Sequence, residues 1–339
     1  MPDSSLILLI LVILLAIGFG IVNGFNDAAN AIAAAIGTRA LSPRTALIIA
    51  AISNFAGAAT GTAVAHTIGK GILVPEVITF PTVIAGLAAI IVWGTLATKA
   101  GLPISIHHGF IAGLAAAGMA VAGNQAVVWN VMSRILAAVI ITPILGFAGG
   151  FALMLGLYWI FQHSAPDKMR RSFSRLQWLS TAFMAYSHGK NDGQMPIGVI
   201  TMALVIFYQD ASLWDRLSIL DPNLWWVIVI SALAISSGMA MGGWRVIRTV
   251  GMRMTTLRPV HGFTTHLAAA SIIEVASHFG IPVSTTHCVS ASVMGVGSTR
   301  RFSAVRWGIA GNIVAAWILT FPICGALGYI FSWLLKMVF

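Results

Sequence analysis

Apolar residues run through this chain in long blocks separated by short polar stretches. The blocks fall at about 6–36, 45–68, 81–98, 104–122, 131–161, 178–207, 223–243, 262–279, 288–298 and 307–335. A helix needs about 20 mostly apolar residues to cross a bilayer core. The pattern therefore predicts an all-α polytopic membrane protein with about ten transmembrane segments. Several blocks are short or cut by Gly and Pro, which predicts broken helices among the plain spans. The first block begins at Leu6, follows a segment without Lys or Arg, and runs past Ile36. It reads as a retained first span and not as a secretion signal.

Composition sharpens the picture. Of the 339 residues, 58% are apolar and 8% are charged, and mean hydropathy is +0.92. A soluble enzyme is excluded, because soluble domains carry roughly a quarter charged residues. Cys288 and Cys324 lie in apolar context and form no CxxC motif. The net charge is +10, but the bases sit between apolar blocks, which is the pattern of membrane topology and not of nucleic-acid binding.

Charge also predicts orientation. Alternate loops carry Arg39 and Arg44; Lys99; Lys168, Arg170, Arg171 and Arg175; Arg245, Arg248, Arg253 and Arg258; and Arg300, Arg301 and Arg306. The other loops and ends hold only Lys70, Arg134, Arg216 and Lys336, with Asp3, Glu76, Asp210, Asp215 and Asp221. The positive-inside rule puts the first set in the cytoplasm and both termini outside.

The chain repeats itself. NGFND (23–27) matches HGKND (188–192), and AISN…HTIGKGI (51–72) matches AISS…RTVGMRM (234–254). GLPISIHH (101–108) matches GIPVSTTH (280–287), and RILAAVIITPILG (134–146) matches NIVAAWILTFPICG (312–325). Four collinear matches predict a duplication, with an N-terminal repeat over 1–161, a cytoplasmic linker over 162–177 and a C-terminal repeat over 178–339. Five spans per repeat force the halves into opposite orientation. Inverted-topology repeats are frequent in secondary transporters, whose sites lie near the midplane between the halves.

Several residues in these matches carry candidate chemistry. Asn26-Asp27 and Asn191-Asp192 lie inside apolar blocks, where a carboxylate is costly and marks a functional site by default. Each pair follows a glycine (Gly24, Gly189), which is expected to weaken the helix and free carbonyls. Carboxylate, amide and carbonyl oxygens suit Na⁺ or a proton, and Asn30 and Gln194 add amides nearby. In the second motif, Gly280 and Pro282 stop one helix, and Ser284, Thr285 and Thr286 stand at the start of the next. Hydroxyls and free N–H groups at a helix N-terminus favour an anion. The first copy keeps Ser105 and His108 but has Ile106 and His107 in place of the two threonines. Two such helix starts would suit a small tetrahedral oxyanion.

Glu274, alone in its apolar block, is a candidate cation ligand or proton carrier, or a neutral hydrogen-bonded core residue. His107, His108, His287 and His188 flank the motifs. Without an HExxH or a Cys ligand set they read as hydrogen-bonding groups and not as a structural metal site. Lys190 adjoins the second Asn-Asp pair and is open to three roles: pairing with a carboxylate, snorkelling, or meeting the anion.

GFNDAANAIAAAIGTRALSP (24–43), HGKNDGQMPIGVIT (188–201) and GIPVSTTHCVSASVMGVG (280–297) closely resemble the signatures of the PiT family of inorganic phosphate transporters. The resemblance covers both repeats. It implies the family's inverted-repeat fold with two broken hairpins at the centre, symport of inorganic phosphate with Na⁺ or H⁺ and no cofactor, and a homodimer. It also implies phosphate binding by Asn26, Asp27, Asn191, Asp192, Ser284, Thr285 and Thr286, and with less support Ser105. Asp27, Asn30, Asp192 and Glu274 are the candidates for the coupling cation, and His108, His287, Lys190 and Gln194 are possible accessories. Ile106, His107 and Lys190 depart from the pattern. The competing readings are a permease for sulfate or another oxyanion, an intramembrane His/Asp metalloenzyme, and a non-transporting sensor.

Overall fold

A computed structural model describes residues 4–337. These form thirteen α-helices: α1 (Ser4–Gly37), α2 (Pro43–Ala58), α3 (Ala63–Gly71), α4 (Phe80–Ala100), α5 (Ile106–Ala122), α6 (Trp129–Ile160), α7 (Pro166–Asp192), α8 (Gln194–Tyr208), α9 (Trp225–Met241), α10 (Trp244–Arg248), α11 (Pro259–His278), α12 (Thr285–Ser298) and α13 (Trp307–Leu335). Helix α10 runs on into a π turn over Thr249–Arg253. Among the described residues there is no strand, only one isolated bridge between Leu73 and Val127.

Five helices are long and apolar enough to cross a membrane alone, and seven spans result if each bent pair counts as one. The bent pairs are α2 with α3, at 66°, and α9 with α10 and its π turn, at 59°. Helices α7, α8, α11 and α12 fall outside this set. α7 opens on four charged residues in its first six and α12 has 14 residues. The expected block at 45–68 is thus two helices, and the expected linker at 162–177 is not a loop. From Pro166 it is the first three turns of α7, and its last residue, Gln177, is fully buried and accepts a hydrogen bond from Thr38 Oγ1 (2.6 Å).

Packing is reciprocal between the halves. α1 lies on α9, and α7 lies on α2; α5 lies on α13, and α12 lies on α6. In the first pair of crossings the backbones touch. A Cβ on Gly24 would stand 1.9 Å from the Ile235 carbonyl oxygen, and one on Gly189 would stand 2.0 Å from that of Asn54. Small residues at such crossings allow the close van der Waals contact that drives helix association in lipid. The glycines of the Asn-Asp motifs therefore serve approach and not flexibility. α1 is continuous through Gly24, and Gly189 lies within α7. The one interruption is at Gly193, which keeps helical angles and donates to Gly189 O (2.9 Å).

The Gly-Pro motifs do break the chain. Gly101 and Gly280 adopt left-handed backbone, with φ of 77° and 66°. In both copies the next residue reaches back to close a Schellman turn: Leu102 N to Ala97 O and Ile281 N to Ala276 O, each 2.9 Å. Pro103 and Pro282 prevent the helix from resuming at once. Ser105 and Ser284 then cap α5 and α12, accepting from His108 N (3.3 Å) and His287 N (3.1 Å). The results are two hairpins, α4–α5 and α11–α12.

The loops gather at two ends. At one, Thr249 Oγ1 donates to Gly101 O (3.0 Å), Arg306 donates to Arg253 O (3.1 Å), and Arg170 and Arg258 line one cavity. At the other, Lys70 faces Asp215 (3.7 Å), Val74 N donates to Ala126 O (2.9 Å), and Lys336 Nζ donates to Ala120 O (2.8 Å). Between the ends the outer surface is apolar: Leu14, Ile48, Ile52, Ile140 and Ile318 are all exposed.

Candidate functional site

The two Asn residues do the same work in both copies. Asn191 Nδ2 donates to Val283 O (2.7 Å) and Asp192 Oδ1 (2.9 Å), and its oxygen accepts from Ser277 Oγ (3.4 Å). Asn26, with its amide oxygen toward Thr98 Oγ1 (2.7 Å), donates to Ile104 O (3.3 Å) and Asp27 Oδ1 (3.1 Å). Each amide thus fastens an Asn-Asp helix to the broken segment of its own half. Thr98 and Ser277 carried no assigned role from sequence, although each stands three residues before its Gly101 or Gly280.

The two aspartates meet the other hairpin as well. Both are buried, at 3% and 1% exposure. Thr285 Oγ1 donates to Asp192 Oδ2 (2.8 Å) and lies 3.4 Å from Asp27 Oδ2; Thr286 Oγ1 donates to Asp27 Oδ1 (2.9 Å). Asn30 Nδ2 reaches Thr286 Oγ1 (3.0 Å) and Thr285 Oγ1 (3.3 Å). The N-terminus of α12 therefore sits against a carboxylate from each half.

His188 ties the carboxylates together. Its Nε2 lies 2.9 Å from Asp192 Oδ2 and 3.5 Å from Asp27 Oδ2, and its Nδ1 is bonded to Asn54 Oδ1 (2.7 Å). Asn54, which orients the ring, was not singled out from sequence. It stands 134 residues from His188, and only the α2–α7 crossing joins them. His107 Nδ1 contacts Asp192 Oδ1. Asp27, His188 and Asp192 offer ligand atoms within 4.8 Å of one another. Two carboxylates, two threonine hydroxyls and an amide make an oxygen-rich buried cluster, and such a set suits a hard cation.

The remaining candidates stand apart from this cluster. His108 and His287 face each other with ring centroids 5.0 Å apart; His287 stacks on Trp317 (4.1 Å) and His108 on Phe321 (5.4 Å). Glu274 pairs with Lys190, the first of the three roles open to that lysine. Gln194 Oε1 accepts from Val64 N (2.7 Å) and Ala65 N (3.1 Å), so it caps α3. Cys288 and Cys324 are buried free thiols.

Broken hairpins, buried carboxylates and apolar outer helices define a multi-pass membrane protein with a charged centre, the architecture of a membrane transporter. The profile of the phosphate transporter family matches residues 23–328. The chain is 40% identical to a probable low-affinity inorganic phosphate transporter of Bacillus subtilis, over 99% of this chain and 100% of that one. It is 37% identical to a protein of the same description from Rhizobium meliloti, over 94% and 95%. A solved structure described as the sodium-dependent phosphate transporter superposes with TM-score 0.88 and 25% identity, covering 98% of this chain and 100% of that chain. The chain belongs to the phosphate transporter family, and its relatives and fold are those of transporters and not of enzymes.

Proposed function

We propose that the chain imports inorganic phosphate by symport with Na⁺, in a bacterial plasma membrane. The observation that carries this reading is the α12 N-terminus held between Asp27 and Asp192. A carboxylate pair at a helix N-terminus repels an anion until a cation offsets the charge. Cation and phosphate then favour each other's binding, a reciprocal coupling. Na⁺, in place of H⁺, is supported by the description of the solved neighbour. Phosphate would meet the N-termini of α5 and α12, at Ser105, Ser284, Thr285 and Thr286.

Asn26 and Asn191 would act by fixing the hairpins, since their amides are committed to Ile104 O and Val283 O. Glu274 would serve outside the cation cluster, because it is paired with Lys190. The reciprocal packing of α1 on α9 and α7 on α2 supports two inverted repeats that move against each other for alternating access. Counting the five long helices, the two bent pairs, α7, α11 and α12 supports about ten membrane-embedded segments. The gathering of the basic loops at one end supports a cytoplasmic location for that end, with both termini outside. The homodimer remains part of the proposal on family grounds.

The test is uptake of labelled phosphate into proteoliposomes under an imposed Na⁺ or H⁺ gradient, with sulfate as competitor. Uptake that follows the Na⁺ gradient and resists sulfate is expected. Folded protein that takes up no phosphate under either gradient sinks the reading; uptake driven by H⁺ alone replaces the coupling ion.

A further inference from the structure

The repeat register makes a comparison between the two aspartates. Asp27 corresponds to Asp192, and three residues further on Asn30 corresponds to Met195. In the hairpins Thr285 corresponds to Ile106, and Thr286 to His107. The structure respects this register: Thr286 Oγ1 meets Asp27 Oδ1, and His107 Nδ1 meets Asp192 Oδ1. All of these residues are buried.

The two half-sites therefore differ in chemistry while sharing a geometry. Around Asp27 stand two hydroxyl oxygens and an amide, from Thr285, Thr286 and Asn30. Asp192 shares Thr285 Oγ1, at 2.8 Å, and the register counterparts of Thr285, Thr286 and Asn30 are Ile106, His107 and Met195: a branched alkyl group, an imidazole and a thioether. None of these offers oxygen. Hard cations select oxygen ligands, and a thioether is a soft one.

Asp192 is also held more closely than Asp27 on both of its oxygens. Its Oδ1 meets Asn191 Nδ2 at 2.9 Å and His107 Nδ1, and its Oδ2 meets Thr285 Oγ1 at 2.8 Å and His188 Nε2 at 2.9 Å. An ionised carboxylate has about four lone-pair sites, and four groups face this one. Asp27 also faces four groups, but only its Oδ1 is held closely, by Thr286 Oγ1 at 2.9 Å and Asn26 Nδ2 at 3.1 Å; its Oδ2 has two long contacts, 3.4 Å to Thr285 and 3.5 Å to His188. A cation arriving at Asp27 displaces little, whereas one arriving at Asp192 must displace His107 or His188.

We infer that each chain holds one coupling cation, at the Asp27–Asn30–Thr285–Thr286 half-site, and that His107 closes the matching half-site on Asp192 to a second. This rests on the symport reading and goes beyond it, because it assigns the stoichiometry and the residue that sets it. In functional terms His107 is a specificity-determining residue: an imidazole occupies the place that a hydroxyl oxygen occupies over Asp27.

The experiment counts radiolabelled Na⁺ bound per purified folded chain, beside Na⁺-dependent phosphate uptake in proteoliposomes. The native chain is expected to bind one Na⁺, with uptake rising without a sigmoid phase in Na⁺. Asn30→Met, which places at Asp27 the residue found beside Asp192, is expected to weaken Na⁺ binding by about ten-fold or more. The triple change Ile106→Thr, His107→Thr, Met195→Asn rebuilds the oxygen set and is expected to bind two, with sigmoid Na⁺ dependence. Each variant's thermal melt confirms that it is folded; if the triple variant does not fold, the native count and Asn30→Met still decide.

Two Na⁺ per native chain overturns the inference, as does a folded triple variant that still binds one. No bound Na⁺, with uptake driven by H⁺, overturns both the inference and the Na⁺ reading. One bound Na⁺ without phosphate uptake upholds the cation site and overturns the transport reading alone.

Discussion

The two Asn-Asp pairs begin from nearly the same sequence and end in different positions. Their asparagines perform one task in both halves, pinning a broken hairpin through Ile104 O or Val283 O. Their aspartates part company. Asp192 is surrounded by donors, while Asp27 keeps loose contacts on Oδ2 and an oxygen-rich neighbourhood. A motif present twice thus keeps its structural function where the backbone demands it and differs where only side chains decide. The asparagine is held by backbone carbonyls that both hairpins must present. Asp192 meets His107, His188 and Thr285, whereas Asp27 meets Thr286 and, at longer range, Thr285 and His188.

The sharpest way to break this comparison is to neutralise each aspartate in turn. Asp27→Asn is expected to abolish Na⁺-driven uptake with a modest loss of stability. Asp192→Asn is expected to destabilise strongly, on the order of 3–5 kcal/mol, because it strips the partner from His107 and His188. Melting temperature and uptake, measured together, decide the matter. Equal stability losses in the two variants would contradict the difference between the sites.

A second pair probes the crossings that carry the aspartates. Gly24→Ala and Gly189→Ala each force a methyl group against a carbonyl oxygen of the facing helix. Each is expected to cost about 1–3 kcal/mol or more from overpacking. Here the halves should agree, and a clear difference in melting between the two variants would show that the crossings are not equivalent. Asn191→Ala and Asn26→Ala should likewise agree, at about 1–3 kcal/mol, since each leaves a buried hairpin carbonyl without its donor. Uptake assays on both should show weakened phosphate affinity as the hairpin loosens.

The Lys190–Glu274 pair has no counterpart in the first half, where Phe25 and Thr95 stand. Both side chains are partly exposed, at 17% and 28%. Lys190→Met leaves Glu274 without its partner and is expected to cost about 1–3 kcal/mol while leaving the Na⁺ count unaltered; loss of Na⁺ binding would place Lys190 in the cation site.

The smallest effect is expected at the loop that precedes α9. Asp221 Oδ1 accepts from Asn223 N (2.8 Å) and Leu224 N (3.0 Å). These backbone N–H groups, with Arg216 nearby, hold its carboxyl below the usual range. A depressed folded-state pKa means stability that is present above the unfolded value and lost as the pH falls through the folded one. Asp221→Ala should therefore remove a small part of the stability at neutral pH and none below both values, as a melting series against pH would record.

Much of this molecule can be read along the chain. The apolar blocks identify the membrane helices because lipid contact demands long apolar runs. The hairpin breaks at Gly101–Pro103 and Gly280–Pro282 follow from what those two residue types do to a backbone. Buried Asp27 and Asp192 stand out because a carboxylate in an apolar run is costly. The glycines of the Asn-Asp motifs were legible as special but not as contacts: only the crossing helix explains why no Cβ fits. The start of α7 within an apparently polar linker was hidden because its charged turns break the apolar pattern.

By itself, then, the sequence determined the membrane setting, the matched motifs, the broken hairpins and the residue types available for chemistry, because these depend on local composition and backbone preference. The tertiary structure alone decided which groups meet. Thr286 and Asp27 are 259 residues apart and Asn54 and His188 are 134 apart. Nothing local encodes such pairings; they arise because helices of one half pack against those of the other, bringing the α12 N-terminus between two carboxylates. The same packing set His107 on Asp192 and Thr286 on Asp27, and so made two similar motifs into two different sites.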